Sequence, residues 1–360
     1  MVVLLLPACV GGGGGDAGTG VCYGPSGWQV CLGAKATGQV QLQGTLDTGK
    51  SDASNPCLNS QPTSWTITQP DACIIVGDTI AVTSLAVTGS RPLVLVAQTG
   101  IAIMNLLDVA SHRATGAVGG GSRSAGDCDP FGSSPDNGPP GGGGAGGSFN
   151  FPGGNGGTSD GAMRPGGQAI GASVTASAGI RGGCVGQPGG GGSASDGGAG
   201  GGAVYLVSAG TISMSGKIDV SGAGGAGRDA EHGGGGGGSG GMIVLHAASI
   251  TTTPSTILIA NGGGGGGGSS AHDLQQLTMR GDDGHEPVLT TPIAPALGGQ
   301  GGLGGGNFNG GDGGNGYPAA SNMVPGLKGQ AGDIGAGGGG GGGGGGYIRS
   351  NQDLGMAVVS

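Results

Sequence analysis

Residues 201–222 read Gly201-Gly-Ala-Val-Tyr-Leu-Val-Ser-Ala-Gly-Thr-Ile-Ser-Met-Ser-Gly-Lys-Ile-Asp-Val-Ser-Gly222. Residues 240–262 follow the same plan as Gly240-Gly-Met-Ile-Val-Leu-His-Ala-Ala-Ser-Ile-Thr-Thr-Thr-Pro-Ser-Thr-Ile-Leu-Ile-Ala-Asn-Gly262. Each copy holds three short runs rich in β-branched residues, at 204–208, 211–214 and 218–220 and again at 242–247, 249–252 and 257–260. Small or turn-forming residues separate the runs, and a glycine tract follows each copy. Such runs fit strands better than helices.

Working outward, residues 73–110 carry the unit twice more with no glycine tract between the copies. Leu93-Val-Leu-Val-Ala97, Gly100-Ile-Ala-Ile-Met104 and Leu107-Asp-Val109 align with Val204-Tyr-Leu-Val-Ser208, Gly210-Thr-Ile-Ser-Met214 and Ile218-Asp-Val220. Three strands in about twenty residues is the length of one coil of a parallel β-solenoid, in which stacked coils share a core that no single coil could bury. The expected fold is therefore all-β: a parallel β-solenoid-like stack carrying long polyglycine, polyproline II-like insertions. A β-sandwich of hairpins with glycine-rich loops is the alternative. On the solenoid reading, Asp108 and Asp219 occupy matching places and stack into a short ladder.

Glycine supplies 100 of the 360 residues, and aromatic residues only 3%. That places the chain far from an average soluble domain. Fixing each glycine costs more backbone entropy than fixing an alanine, so a long tract is either disordered or ordered by contacts closer than a Cβ would allow. Collagen orders glycine in that way, but its strict Gly-X-Y period does not run through this sequence. The tracts at 116–202, 222–241 and 262–346 are read as insertions from the corners of the stack, emerging on one side and associating there through lateral hydrogen bonds.

The organisation expected is a truncated lipoprotein signal and glycine tether (1–20), then a disulfide-bearing β entry or cap (21–72) that holds both tryptophans, Trp28 and Trp65. Two β units (73–115), a glycine-rich insertion (116–202) and two β units with a glycine tract (203–261) follow. A second glycine-rich insertion (262–346) and a final strand and tail (347–360) complete the chain. The opening Met1-Val-Val-Leu-Leu-Leu-Pro-Ala-Cys9 resembles the end of a bacterial lipoprotein signal, with Leu6 and Ala8 at the places signal peptidase II recognises. The resemblance implies lipidation at Cys9 and a membrane partner held through that anchor. The run is too short to span a bilayer and has no cationic n-region, so a start further upstream is expected.

Cys22, Cys31, Cys57, Cys73, Cys128 and Cys184 remain, an even number in a chain read as exported, so disulfides are expected. Sequence order favours Cys22–Cys31, Cys57–Cys73 and Cys128–Cys184. Their spacing offers none of the close pairs that a zinc site uses.

The net charge of −9, with twelve Lys and Arg scattered along the chain, argues against nucleic acid as a partner. Gly44-Thr-Leu-Asp-Thr-Gly-Lys-Ser51 matches a phosphate-loop pattern, but the polar, proline-bearing segment after it cannot supply the helix such a loop needs. Nucleotide is excluded on that ground, and no cofactor is expected. Gly237-Gly-Ser239-Gly-Gly241 matches a nucleophile elbow, yet Ser239 precedes a strand where the elbow needs a helix to follow; His246 lies within that strand. Arg280-Gly-Asp282 is a three-residue adhesion-like match, read as a turn. Weak calcium candidates are Asp282, Asp283 and Glu286, with Asp127, Asp129, His285 and Asp312 as further oxygen or nitrogen donors.

The segments Gly-Gly-Met242-Ile-Val-Leu, Gly-Gly-Ala203-Val-Tyr-Leu-Val and Gly-Ser-Arg91-Pro-Leu-Val-Leu-Val-Ala resemble the glycine-rich exported lipoproteins of myxobacteria-like bacteria, often labelled PE-PGRS family by composition. The Pro-Glu domain behind that label is not among these residues. The tracts are also similar to the glycine-rich domain of the anaplastic lymphoma kinase receptors, which implies polyglycine helices bundled beside β-strands. Neither resemblance implies a catalytic residue.

The function expected is a non-enzymatic structural or adhesion-type lipoprotein of the outer membrane or cell surface, with envelope or matrix polysaccharide as a further partner. The alternative is a polysaccharide-binding or polysaccharide-active solenoid, to which the repeat units contribute Asp108, Asp219, Lys217 and Tyr205. A flat ice-binding face draws on the threonines at 251–253 alone.

Overall fold

The structure is a computed structural model that describes residues 20–50, 55–66, 69–122, 128, 132–170, 179–191, 195–228, 231–271, 279–304, 308–317 and 326–360. It begins with a small cap. Strands β1 (Val21–Tyr23) and β2 (Val30–Leu32) pair as an antiparallel hairpin with Cys22 opposite Cys31, and α1 (Thr63–Thr66) follows. The three disulfides are Cys22–Cys31, Cys57–Cys73 and Cys128–Cys184, the pairing expected from sequence order.

The main sheet is parallel throughout its named strands. Strand β3 (Gln39–Asp47) pairs with β4 (Cys73–Thr88), and β4 with β5 (Leu93–Asp108). Beyond β5 each layer is split in two: β6 (Ala203–Met214) with β7 (Lys217–Asp219), then β8 (Met242–Thr252) with β9 (Ile257–Ile259), then β10 (Tyr347–Ser350) with β11 (Val358–Val359). The path from β10 through β5 to β11 forms a nearly closed sheet. A straight strand the length of β4 would extend about 50 Å. Yet only residues 89–92 separate its end from β5, which lies beside its beginning with Cys73 against Leu93. The chain therefore bends back on itself, and register shifts between Gly77 and Thr79 and between Val82 and Ser84 mark irregularities along β4.

Parallel pairing overturns the hairpin sandwich: among the named strands only the β1–β2 cap is antiparallel. The structure also corrects one alignment. Gly100 pairs with Thr211, not Gly210, and Ile101 with Ile212. A one-residue slip would turn every side chain of the middle run to the opposite face, whereas Ile101 and Ile212 both point into the core, at 1% and 0% exposure. In β4 and β5 the three short runs merge into single strands.

Inward side chains form columns across the sheet: Val40, Ile80, Ile101, Ile212 and Ile250 in one, Leu85, Leu107, Ile218 and Leu258 in another. The first segment of each layer is covered on both sides. Val94, Val96, Tyr205, Val207 and Val244 turn outward, under Tyr23 and Trp65 of the cap and Phe149 and Ile180. Trp65 stacks on Tyr205 with ring centroids 6.2 Å apart. Burial on both faces explains why Leu93-Val-Leu-Val and Val204-Tyr-Leu-Val are unbroken apolar runs while the middle segments alternate.

The glycine tracts are ordered against each other by backbone hydrogen bonds. Gly234, Gly237 and Gly240 donate to Gly338, Gly341 and Gly344, and Gly144 and Gly147 donate to Gly234 and Gly237. Partners advance by three on both chains, which is the turn of a polyproline II helix. Residues 232–241 bond to six neighbouring segments, through Gly144, Gly338, Ala226, Gly266, Gln187 and Gly198. A Cβ on Gly237 would lie 2.0 Å from the Gly263 oxygen, and one on Gly340 2.0 Å from the Gly235 oxygen. No side chain fits between chains so close. The interior is consequently built from the longest glycine runs, 233–238, 262–268 and 337–346, all buried except Gly346, which is half-buried. Peripheral segments keep glycine only where they face inward. Gly326, Gly329 and Gly332 are buried, whereas Leu327, Lys328, Gln330 and Ala331 are exposed.

No helix among the described residues is long and apolar enough to cross a membrane.

Candidate functional site

Charge is sparse in this chain, and one cluster of it lies where the sheet meets the glycine bundle. Strand β5 ends at Asp108, which pairs in register with Asp219 of β7, so the expected carboxylate ladder is present. The chain then turns through a short loop in which the His112 N–H donates to the Ala117 carbonyl. That loop presents His112 and Arg113. From the bundle comes segment 279–286, where Gly281 and Gly284 face inward and Asp282 and Asp283 face out; its last residue is Glu286.

His112 joins the two parts. Its Nδ1 lies 2.8 Å from Glu286 Oε2 and its Nε2 3.1 Å from Asp108 Oδ2. With a carboxylate at each nitrogen both must donate, so the ring is the imidazolium. The hydrogen bond to Asp108, then that to Glu286, raise the His112 pKa to about 10 against the opposing effect of burial. The other oxygen of Glu286 accepts the Arg113 N–H. Arg113 in turn lies 3.5 Å from Asp283 and donates to the Gly224 carbonyl at 3.3 Å.

Asp219 is 5% exposed, and burial pushes its carboxyl up to about 6, although the Ser221 N–H donates to Oδ1 at 2.8 Å. One carboxyl of the in-register pair is thus buried and the other, Asp108, reaches solvent. A shallow groove walled by Gln43, Ser84, Leu106 and Asp108 runs along the same face.

The calcium candidates separate. Asp283 accepts from Arg280 at 2.8 Å and from the Gly227 N–H at 2.9 Å, and Glu286 is committed to His112 and Arg113. Asp282 is exposed, and Asp312 accepts the Gly301 N–H across the bundle. No group of three or more His, Cys, Asp or Glu among the described residues is arranged to hold a metal ion. Cys9, Ser51, Asp127 and Asp129 lie outside the described residues.

The other motifs are parts of the build. Ser239 is fully buried, and its Oγ accepts the Cys184 N–H at 2.7 Å. Gly281 is a buried rung of the bundle whose N–H donates to the Arg228 carbonyl, so the Arg280-Gly-Asp282 match is a stretch of bundle chain rather than a turn. Sequence reading missed His112 and Arg113, and the part that Glu286 plays beside them. Glu286 had been weighed only for calcium, and a partner 174 positions away leaves no local motif.

Comparison with protein-family models, curated proteins and solved structures finds no match. Three disulfides are the mark of an exported or extracellular protein, and the site is read in that setting.

Proposed function

We propose that this is a non-enzymatic structural or adhesion-type protein of the cell surface or envelope, a parallel β-solenoid with a polyglycine bundle fused to its side and a lipid anchor at Cys9. The observation that supports it most is the fate of the glycine. The longest tracts are consumed as a close-packed backbone array, in a chain with only 9% charged residues. The solenoid reading rests on the successive layers, in which Cys73, Leu93, Val204, Ile243 and Ile348 stand in one column.

The test is cell fractionation and surface labelling of a chain carrying a complete signal. Membrane retention that Cys9→Ser abolishes, with the exposed Lys328 biotinylated on intact cells, is the expected result. Retention unchanged by the substitution contradicts the anchor, and label excluded from intact cells contradicts the surface location.

The register pairing of Asp108 with Asp219 supports a second reading, a polysaccharide-active solenoid. Two neighbouring carboxyls in unlike surroundings, one buried and one reaching solvent, are the usual acid and base of glycoside chemistry. Against it, His112 and Glu286 tie Asp108 to the bundle, and Ser221 holds Asp219. Polysaccharide cleavage that Asp108→Asn abolishes while the fold persists would establish this reading over the first.

A further inference from the structure

Arg113, Arg228 and Arg280, from three separate segments, line one cleft of about 220 Å³ together with Asp196, Ala226 and Gly227. Three of the twelve cationic side chains of a chain with net charge −9 therefore meet at one place. Among the described residues two carboxylates answer them. Asp283 is shared, at 2.8 Å from Arg280 and 3.5 Å from Arg113, and it also accepts the Gly227 N–H. Asp196 is the loose one: its side chain is 80% exposed and 3.7 Å from Arg228 Nη2. Arg228 Nε is shielded from solvent and donates to no acceptor among the described residues. A guanidinium N–H without a partner costs free energy, which a turn of the 40%-exposed Arg228 side chain toward an anion in the cleft would recover.

We propose that this cleft is an oxyanion-binding site, taking the carboxylate or sulfate group of an acidic sugar. Among the described residues that line the cleft, three guanidinium groups face two carboxylates, and of these two the entering anion need displace only Asp196. Guanidinium forks suit planar carboxylate and tetrahedral sulfate alike, through paired N–H donors. The cleft is open enough for the rest of a sugar ring to remain in solvent. The choice of a sugar rests on the polysaccharide reading above, whereas the anion site itself needs neither the lipid anchor nor the absence of catalysis.

The test is titration of the full oxidised chain with glucuronate, inorganic sulfate and glucose, followed by calorimetry and by the arginine Nε–H resonances. Glucuronate and sulfate should bind at about millimolar strength, roughly −4 kcal/mol, moving the Arg228 resonance, while glucose does nothing. Arg228→Gln should weaken binding at least about tenfold, a loss of about 1.4 kcal/mol; Arg228→Lys, which keeps the charge but loses the fork, should fall between. Binding of glucuronate alone supports a carboxylate ligand, and of sulfate alone a sulfate ester. No binding by either anion, or binding that Arg228→Gln and Arg280→Gln leave unchanged, overturns the proposal. Amide spectra of each variant verify that the bundle is intact.

Discussion

Burial holds the Asp219 carboxyl at a pKa of about 6, against an ordinary value of 3.8. Between those values the folded chain binds more protons than the unfolded one, so stability from this group falls as pH rises through the window. Asp219→Asn keeps an acceptor for the Ser221 N–H and removes the charge. Its Tm should exceed that of the parent at pH 7.5, with the gain vanishing below about pH 4; a lowered Tm at both pH values would contradict the cost assigned to the carboxylate. His112 follows the same direction over a higher pH window, but as a favourable contribution that is lost rather than a cost that appears. Its pKa is raised to about 10, first by Asp108 and then by Glu286, so its contribution is complete below the ordinary 6.5 and is lost as pH rises through 10. Allowing for solvent screening of a half-buried pair, His112→Gln should cost about 1 kcal/mol at pH 7 in urea unfolding, and little at pH 11. Asp108 and Asp219 were legible as a pair because the repeat places them in step. His112 and Glu286 were not, because their meeting is decided by how the bundle returns to the sheet.

Each sheet layer shares its core with the next, and this sharing governs what a single substitution does. Ile212 is fully buried between Ile101 and Ile250. Ile212→Asp places an unpaired charge there, at a cost of several kcal/mol, and should speed hydrogen exchange in β5 and β8 as well as in β6. Loosening confined to β6 would mean independent layers. The apolar runs made these elements readable, since every main-sheet strand except β10 falls within a stretch that alternates or runs continuously apolar. The slip at Gly210 arose because matching glycines looked like the better anchor, although inward alternation at Ile101 and Ile212 decides the register. The disulfides were legible because each partner lies across a turn-rich excursion. Titration of the unfolded, unreduced chain should find no free thiol among the six later cysteines; several would contradict the three pairs.

At the scale of the whole molecule, the glycine bundle depends on its neighbours for order. A Cβ on Gly237 would meet the Gly263 oxygen at 2.0 Å, so Gly237→Ala should destabilise by about 2–3 kcal/mol. Gln300→Ala, at an exposed peripheral position, should change stability by less than about 0.5 kcal/mol. Equal effects would contradict an interior and a rim. The rim was partly legible as Gly298-Gly-Gln-Gly-Gly-Leu303 and Gly310-Gly-Asp-Gly-Gly-Asn315, a local period of three that a search for collagen's chain-long period passes over. The pure glycine interior has no period to read, because every position faces another chain. Amide hydrogen exchange of Gly234, Gly237 and Gly240, whose N–H groups donate to Gly338, Gly341 and Gly344, tests the bundle most directly. Protection comparable to that of Val204 and Leu206 in β6 is the result expected, and exchange at the rate of an unfolded glycine chain would contradict it.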